Sequence, residues 1–238
     1  MKTLTKVKER PILFSAPMVR AILSGDKTQT RRVVNFGYHT KPRESDGDVG
    51  APSFVSKTSL GWFNFGCDCW QCRESKLHSF HMSCPYGAIG ERLWVRETHA
   101  RIPSQQLTQP HYFADGPLPS IDDRHDAGLL RTYPSIFMPR WASRITLEIT
   151  DVRVHRLKDI SETDASAEGV ELNNEPSEWT PDDGWIPYCN HYPDGCECFP
   201  AMSAKESFLG LWHKIYGDDV DQSKYWVWAI TFKRIEAQ

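Results

Sequence analysis

The stretch GDKTQTRR, Gly25 to Arg32, gathers one acid, three bases, two threonines and a glutamine. Three uses fit that composition. It can be a solvated basic loop, a clamp for phosphates, or part of a catalytic site.

A second set of reactive side chains is the cysteines. There are seven, in two clusters: Cys67-x-Cys69-x2-Cys72 with Cys84 further on, and Cys189-x6-Cys196-x-Cys198. His78 and His81 lie within the first cluster and His191 within the second. Thiolates are soft ligands, and four in a tetrahedron suit Zn²⁺. Cys-x2-Cys is a common zinc spacing and Cys-x-Cys a rarer one. Structural zinc is the expectation, either as one site shared by both clusters or as two sites completed by His81 or His191. Unliganded thiols and an iron–sulfur cluster are the alternatives. The odd count and the lack of a secretory signal argue against a disulfide framework. No H-E-x-x-H or H-x-E…C-x-x-C pattern is present, so an open catalytic zinc is not expected, nor is an organic cofactor.

A third set is cationic and aromatic. MPRWASR, Met138 to Arg144, interleaves arginines with Trp141. Arg20, Arg31, Arg32, Arg96, Arg140 and Arg144 are candidates for phosphate contacts, and Trp141 for stacking on a base. The competing reading puts Trp141 in the core and pairs the arginines with acids such as Glu97 or Glu148.

These residues need a scaffold. The chain has 238 residues, 39% hydrophobic and 12% aromatic, too rich for a disordered protein. No apolar run is long enough to span a bilayer, and no membrane partner is expected. The basic start MKTLTKVKERP has no apolar stretch behind it, so no signal peptide is expected and a cytoplasmic location is the default. Net charge is −3, against a wholly basic nucleic-acid binder. The charge is uneven, however. Residues 1–42 carry nine Lys/Arg against two Asp/Glu, a local net of +7, and residues 158–200 carry one against eleven, a local net of −10. A basic face toward a phosphate-bearing partner is compatible with the acidic total.

Strands are expected at Pro11–Phe14, Arg92–Arg96, Ser143–Arg156 and Trp226–Phe232, all rich in β-branched and aromatic residues. Helices are expected at Pro17–Leu23, closed by Gly25, and at Ser161–Gly169, with Ser161 as N-cap and Asp164 at the capping-box position. A third is expected at Ala204–Tyr216, with Phe208, Leu211, Trp212 and Ile215 on one face. Three loop-like insertions separate them: Val34–Ser83, His99–Ser135 and Asn173–Met202. The expected class is α+β: one domain over residues 1–238, a small β-barrel with short flanking helices and cysteine-rich insertions.

LSGDKTQTRR resembles the G-x-K-x-x-T-x-R signature of ASCH-domain proteins, a branch of the PUA-like β-barrel superfamily. GERLWVRE resembles that family's G-D-x-hydrophobic-x-V-x-E strand. RITLEITDVRVHRLKDISETDASAEGV resembles its long strand followed by a helix carrying A-x-x-E-G, and WVWAITF its last strand. CPYG, HYFADG and PSIFMPRWASRI resemble wording found in phage and prophage members. Each motif is weak alone, and their order is what is specific. The resemblance covers less than half of the chain.

The resemblance implies a PUA-like fold, RNA or nucleoside binding and, for small bacterial members, an amidohydrolase that removes the acetyl group from acetylated cytidine. The family's Lys, its Thr three residues on and its Glu in the later helix fall on Lys27, Thr30 and Glu168. Nuclease activity, or a phage assembly or host-interaction role with Trp62, Trp70 and Trp185 at a contact surface, are further implications. Two proton assignments fit. Neutral Lys27 can activate Thr30, although a free lysine has a pKa of about 10.4 and needs burial or neighbouring cations to lose its proton. Alternatively, charged Lys27 holds the oxyanion and Glu168 is the base. Of the two arginines, Arg32 shares the Thr30 side by alternation and is expected to face the same ligand.

Overall fold

The computed structural model describes residues 7–35, 54–57, 62–66, 79–101, 110–118, 131–171, 185, 203–217 and 225–235. The architecture is α+β, built on a mixed five-stranded sheet. Its strands are β1 (Glu9–Leu13), β2 (Gln29–Val33), β6 (Arg92–Arg96), β10 (Thr146–Arg156) and β11 (Trp226–Ile235), in the order β1-β6-β10-β11-β2. β1 runs parallel to β6, β10 antiparallel to β6, and β2 antiparallel to β11. Among the described residues no pairing closes this order into a barrel.

Side-chain patterns explain the placements. In β6 Leu93 and Val95 are buried and the alternate Arg92, Trp94 and Arg96 are half-buried, the pattern of a strand with one face on a core. Trp226 to Ile230 of β11 are all buried, as expected for an interior strand covered on both faces. β10 begins at Thr146 rather than Ser143, because Ser143 closes a short 3₁₀ turn at Arg140–Ala142 and its hydroxyl donates to Val95 O.

Two of the regions expected as loops contain strands. β3 (Phe54–Lys57), β4 (Phe63–Gly66) and β5 (Ser79–Met82) form one antiparallel sheet, and β7 (His99–Arg101), β8 (His111–Tyr112) and β9 (Arg131–Tyr133) another. Strands of two to four residues are too short for a period of two to register.

The helices are α1 (Ala16–Ser24), α2 (Glu162–Ser166) and α3 (Ala204–Tyr216). Pro17 sits in the first turn of α1, and Gly25 ends it in the left-handed region at φ 93°. α2 stops at Ser166, short of Gly169, and the chain continues through a turn to Gly169 at φ 75°. On α3 the buried residues are Ala204, Ser207, Phe208 and Trp212; Ile215, expected on the same face, is 54% exposed because the helix runs past the core in its last turn.

The chain divides into two compact units: Met1–Asp26 with Pro85–Asp151 and Phe232–Gln238, and Lys27–Cys84 with Val152–Thr231. In the second, Leu157, Ile160, Ala165, Val170, Phe208, Trp212 and Val227 form a core cluster. Ala165 and Val170, both in that cluster, bracket Glu168 and fix the turn that carries it.

Candidate functional site

The two segments singled out in sequence meet in the second unit. α1 ends at Gly25, Lys27 follows, and β2 begins at Gln29. The backbone N–H groups of Thr28 and Gln29 both donate to Ala167 O, at 2.9 and 3.0 Å. That pair of bonds fixes the neighbouring residues in register: Lys27 Nζ donates to Glu168 O at 2.6 Å and to Glu168 Oε2 at 2.9 Å. The Lys27 side chain has 0% exposure and that of Glu168 4%. A contact across 141 residues of sequence thus joins GDKTQTRR to AEG.

Arg31 completes the arrangement. Its NH1 donates to Glu168 Oε1 at 2.9 Å and to Gln29 Oε1 at 2.8 Å, and its NH2 to Asp164 Oδ2 at 2.9 Å. Each Glu168 oxygen therefore carries one cation. Gln29 also donates to Asp164 Oδ1 at 3.3 Å and to Thr231 Oγ1 at 3.1 Å. Phe208 of α3 closes this side, with the Arg31 guanidinium carbon 5.7 Å from its ring centre. Burial and paired hydrogen bonding are what a charge in a dry interior requires.

Alternation along β2 explains who faces whom. Gln29 and Arg31 share one face; Thr30 and Arg32 share the other, with their register partners Ile230 and Trp228. Arg31 is therefore the arginine at Glu168, while Arg32 shares the face of Thr30, as alternation predicts. Thr30 is 3% exposed, on the face opposite Arg31. Lys27 precedes the strand, and its Nζ lies at Glu168 alongside Arg31.

Burial in the dry interior pulls the Lys27 ammonium below the ordinary lysine value; Glu168 opposes this, and the charges of Arg32 and Arg31 assist it. His155 lies at the outer side of Arg31. Its Nδ1 donates to Arg156 O at 2.8 Å, which leaves Nε2 as an acceptor facing Arg31 NH2 at 3.4 Å. Burial holds this imidazole below its usual value, and the Arg31 and Arg153 charges act in the same direction. A pocket of about 480 Å³ in this unit is lined by Lys57, Phe63, Arg153, His155, Asp159, Ser161 and Asp164, among others.

Asp164 and His155 were not legible as members of this cluster. The Asp164 N–H donates to Ser161 Oγ at 3.2 Å, the expected cap, but the Asp164 carboxylate accepts from Arg31, Gln29 and Arg153 rather than reaching back to the cap. The available signal was charge balance: with Lys27 and Arg31 on one side, acids had to meet them there.

The remaining candidates are elsewhere. Arg20 is exposed on α1. Arg96 donates to the Met138 and Ile136 carbonyls. Arg140 donates to Glu9 Oε2 at 2.9 Å and to Thr146 Oγ1 at 3.3 Å. Arg144 grips buried Glu97 with two bonds of 3.0 and 3.1 Å and reaches Asp115 at 2.7 Å. The acid pairing weighed for Arg144 is thus present, whereas Glu148 pairs with Lys233. Trp141 is 53% exposed and does not fill the core; the Arg101 guanidinium carbon lies 5.6 Å from its ring centre. Cys84 is buried and His81 is exposed. Cys67, Cys69, Cys72, Cys189, Cys196, Cys198, His78 and His191 lie outside the described residues, as do Trp70 and most of the third insertion. Among the described residues no cluster of His, Cys, Asp and Glu has the arrangement of a metal site.

Comparison with protein-family models, with curated proteins and with solved structures finds no match to this chain.

Proposed function

We propose that this chain is an ASCH-type, PUA-like protein that binds RNA or a nucleoside and removes the acetyl group from acetylated cytidine, or acts on a closely related acylated nucleoside. The observation that carries the reading is the buried contact of Lys27 Nζ with Glu168 Oε2 at 2.9 Å. Buried ionisable pairs cost stability unless their geometry compensates, and perturbed groups of this kind concentrate at functional sites.

The geometry favours one proton assignment. Both Glu168 oxygens are occupied, one by Lys27 and one by Arg31. Lys27 is the group that burial drives toward its neutral form. In the reaction proposed from the motif resemblance, the Thr30 hydroxyl attacks the acetyl carbonyl and its proton passes to the Lys27 amine, a transfer that requires the two side chains to meet at the substrate. As the tetrahedral intermediate collapses, Lys27 returns the proton to the departing cytosine nitrogen. Water then attacks the threonine ester with Lys27 again as base, releasing acetate and restoring the hydroxyl. Glu168 orients the amine, and Arg31 holds the Glu168 carboxylate in place.

The test is deacetylation of acetylated cytidine by the purified chain. Lys27→Ala and Thr30→Ala are each expected to lower kcat by about 100-fold or more, the usual worth of a general base or nucleophile. Unchanged turnover in either variant rejects that residue's role.

A second reading, a non-catalytic single-stranded nucleic-acid module, rests on exposed Trp141 with Arg101 beside it. Salt-dependent RNA binding without turnover, weakened by Trp141→Ala, favours it. Structural zinc held by the cysteines, a phage or prophage origin and a phage or host protein partner belong to the proposal on sequence grounds alone.

A further inference from the structure

We infer that Asp164 is a positioning residue for the proposed site: acting through the Arg31 guanidinium, it holds the Glu168 carboxylate in place and governs how readily Lys27 gives up its proton. The inference rests on the proposed hydrolase reading for its link to turnover; its electrostatic part stands independently. Neither Asp164 nor Arg31 belongs to the Lys-Thr-Glu set.

The geometry is a fork held at both tines. Arg31 has 0% side-chain exposure, and its two terminal nitrogens reach two different carboxylates: NH1 to Glu168 Oε1 and NH2 to Asp164 Oδ2, both at 2.9 Å. Its Nε has no hydrogen-bond partner among the described residues, so the terminal nitrogens are what fix the plane of the group. The two acids come from one short segment, Asp164 inside α2 and Glu168 in the turn after it. Around Asp164 stand Arg31 and Gln29 of β2, Arg153 of β10 and, across Arg31 NH2, the His155 imidazole. Around Lys27 stand Glu168, Arg32 and Arg31. With Asp164 neutralised, the Arg31 fork has a full charge on the Glu168 tine alone and loses its second anchor.

Charge counting gives the sign. The Asp164 carboxylate, held on Arg31, adds a negative charge that favours protonated Lys27, whereas Arg32 and Arg31 disfavour it. Without the Asp164 charge, the neighbouring cations weigh more heavily on the protonated lysine. Asp164 therefore opposes proton loss from Lys27, and Arg153, which shares Asp164 at 3.2 Å on the outer side, weakens that opposition.

The experiment is NMR titration of the full chain labelled at lysine Cε with ¹³C, the Lys27 signal being assigned by its loss in Lys27→Arg. Asp164→Asn is expected to lower the Lys27 midpoint by about one pH unit, a ten-fold change in proton affinity. Asp164→Glu is expected to restore it. Arg153→Gln is expected to move the midpoint the other way, upward. The Arg153 side chain is 45% exposed, so this variant keeps the fold and carries the test even if Asp164→Asn does not fold. Deacetylation on the same samples is expected to lose kcat in Asp164→Asn while its acidic limb moves to lower pH; a merely structural role would lower kcat without moving the limb. An unmoved Lys27 midpoint, or a shift of the same sign in both variants, overturns the inference. Opposite shifts without any turnover by the unaltered chain keep the electrostatic inference and overturn the hydrolase reading.

Discussion

Lys27 is a long cationic side chain with no exposure, and its neighbourhood explains why it is there. Its ammonium finds a carbonyl and a carboxylate on the same residue, Glu168. Removing one partner of such a pair strands a buried charge, so Glu168→Gln is expected to cost about 3–5 kcal/mol, measured by urea unfolding; a loss within about 0.5 kcal/mol would show that the pair is not buried as described. Asp164 adds a pH signature. Burial pushes its carboxyl up, but the Arg153 hydrogen bond and the Arg31 and Arg153 charges outweigh that and hold it below the ordinary value. A folded-state value below the unfolded one means that ionised Asp164 stabilises the fold above about pH 4, and that this contribution is lost as pH falls through the lower folded value. The stability gap between the unaltered chain and Asp164→Asn is therefore expected to narrow on acidification; a gap independent of pH would contradict the pairing. At this scale the sequence named Lys27 and Glu168 through a motif resemblance. It left the partner of Glu168 among the arginines unnamed, because alternation tells which residues share a face but not which face a distant acid will meet.

Elements bring these residues together. α1 must end before Lys27, and Gly25 ends it in a left-handed conformation with open space where a Cβ would stand. Gly25→Ala is thus expected to lose only the backbone term, about 1 kcal/mol. Gly87, at φ 132°, would press a Cβ within 2.9 Å of Ile149 Cδ1 and 2.8 Å of Glu91 Oε2, so Gly87→Ala is expected to lose more. Thermal unfolding of the two variants checks the ranking, and equal losses would refute it. Phe208 of α3 packs in the cluster behind the turn and against Arg31, so Phe208→Ala is expected to cost about 3–5 kcal/mol and to loosen the site with the core. The long strands and all three helices were legible because their patterns run for several periods or carry caps: Ser161 and Ser203 each accept an N–H from three residues on. The strands of the two small sheets were not legible. Four residues such as Phe54–Lys57 hold no period, and their pairing is decided by partners far along the chain.

At the scale of the molecule, uneven charge has a local counterpart. The +7 segment includes Lys27 and Arg31, and the −10 segment includes Asp164 and Glu168, so part of the imbalance is answered by the buried cluster itself. No helix among the described residues is long and apolar enough to cross a membrane. The proposed zinc draws on two distant cysteine clusters, as one shared site or as two. Stoichiometric zinc by elemental analysis, with a lower unfolding temperature after chelation, is the expected outcome; metal-free protein of unchanged stability would exclude it. Most direct for the central claim is kcat/KM for deacetylation of acetylated cytidine in Lys27→Ala, Glu168→Gln and the double variant. If Lys27 and Glu168 act as one unit, turnover falls at least 100-fold in Lys27→Ala and the double variant is no worse, because groups that work together are lost together. Losses that multiply, or turnover untouched by either change, would contradict the account.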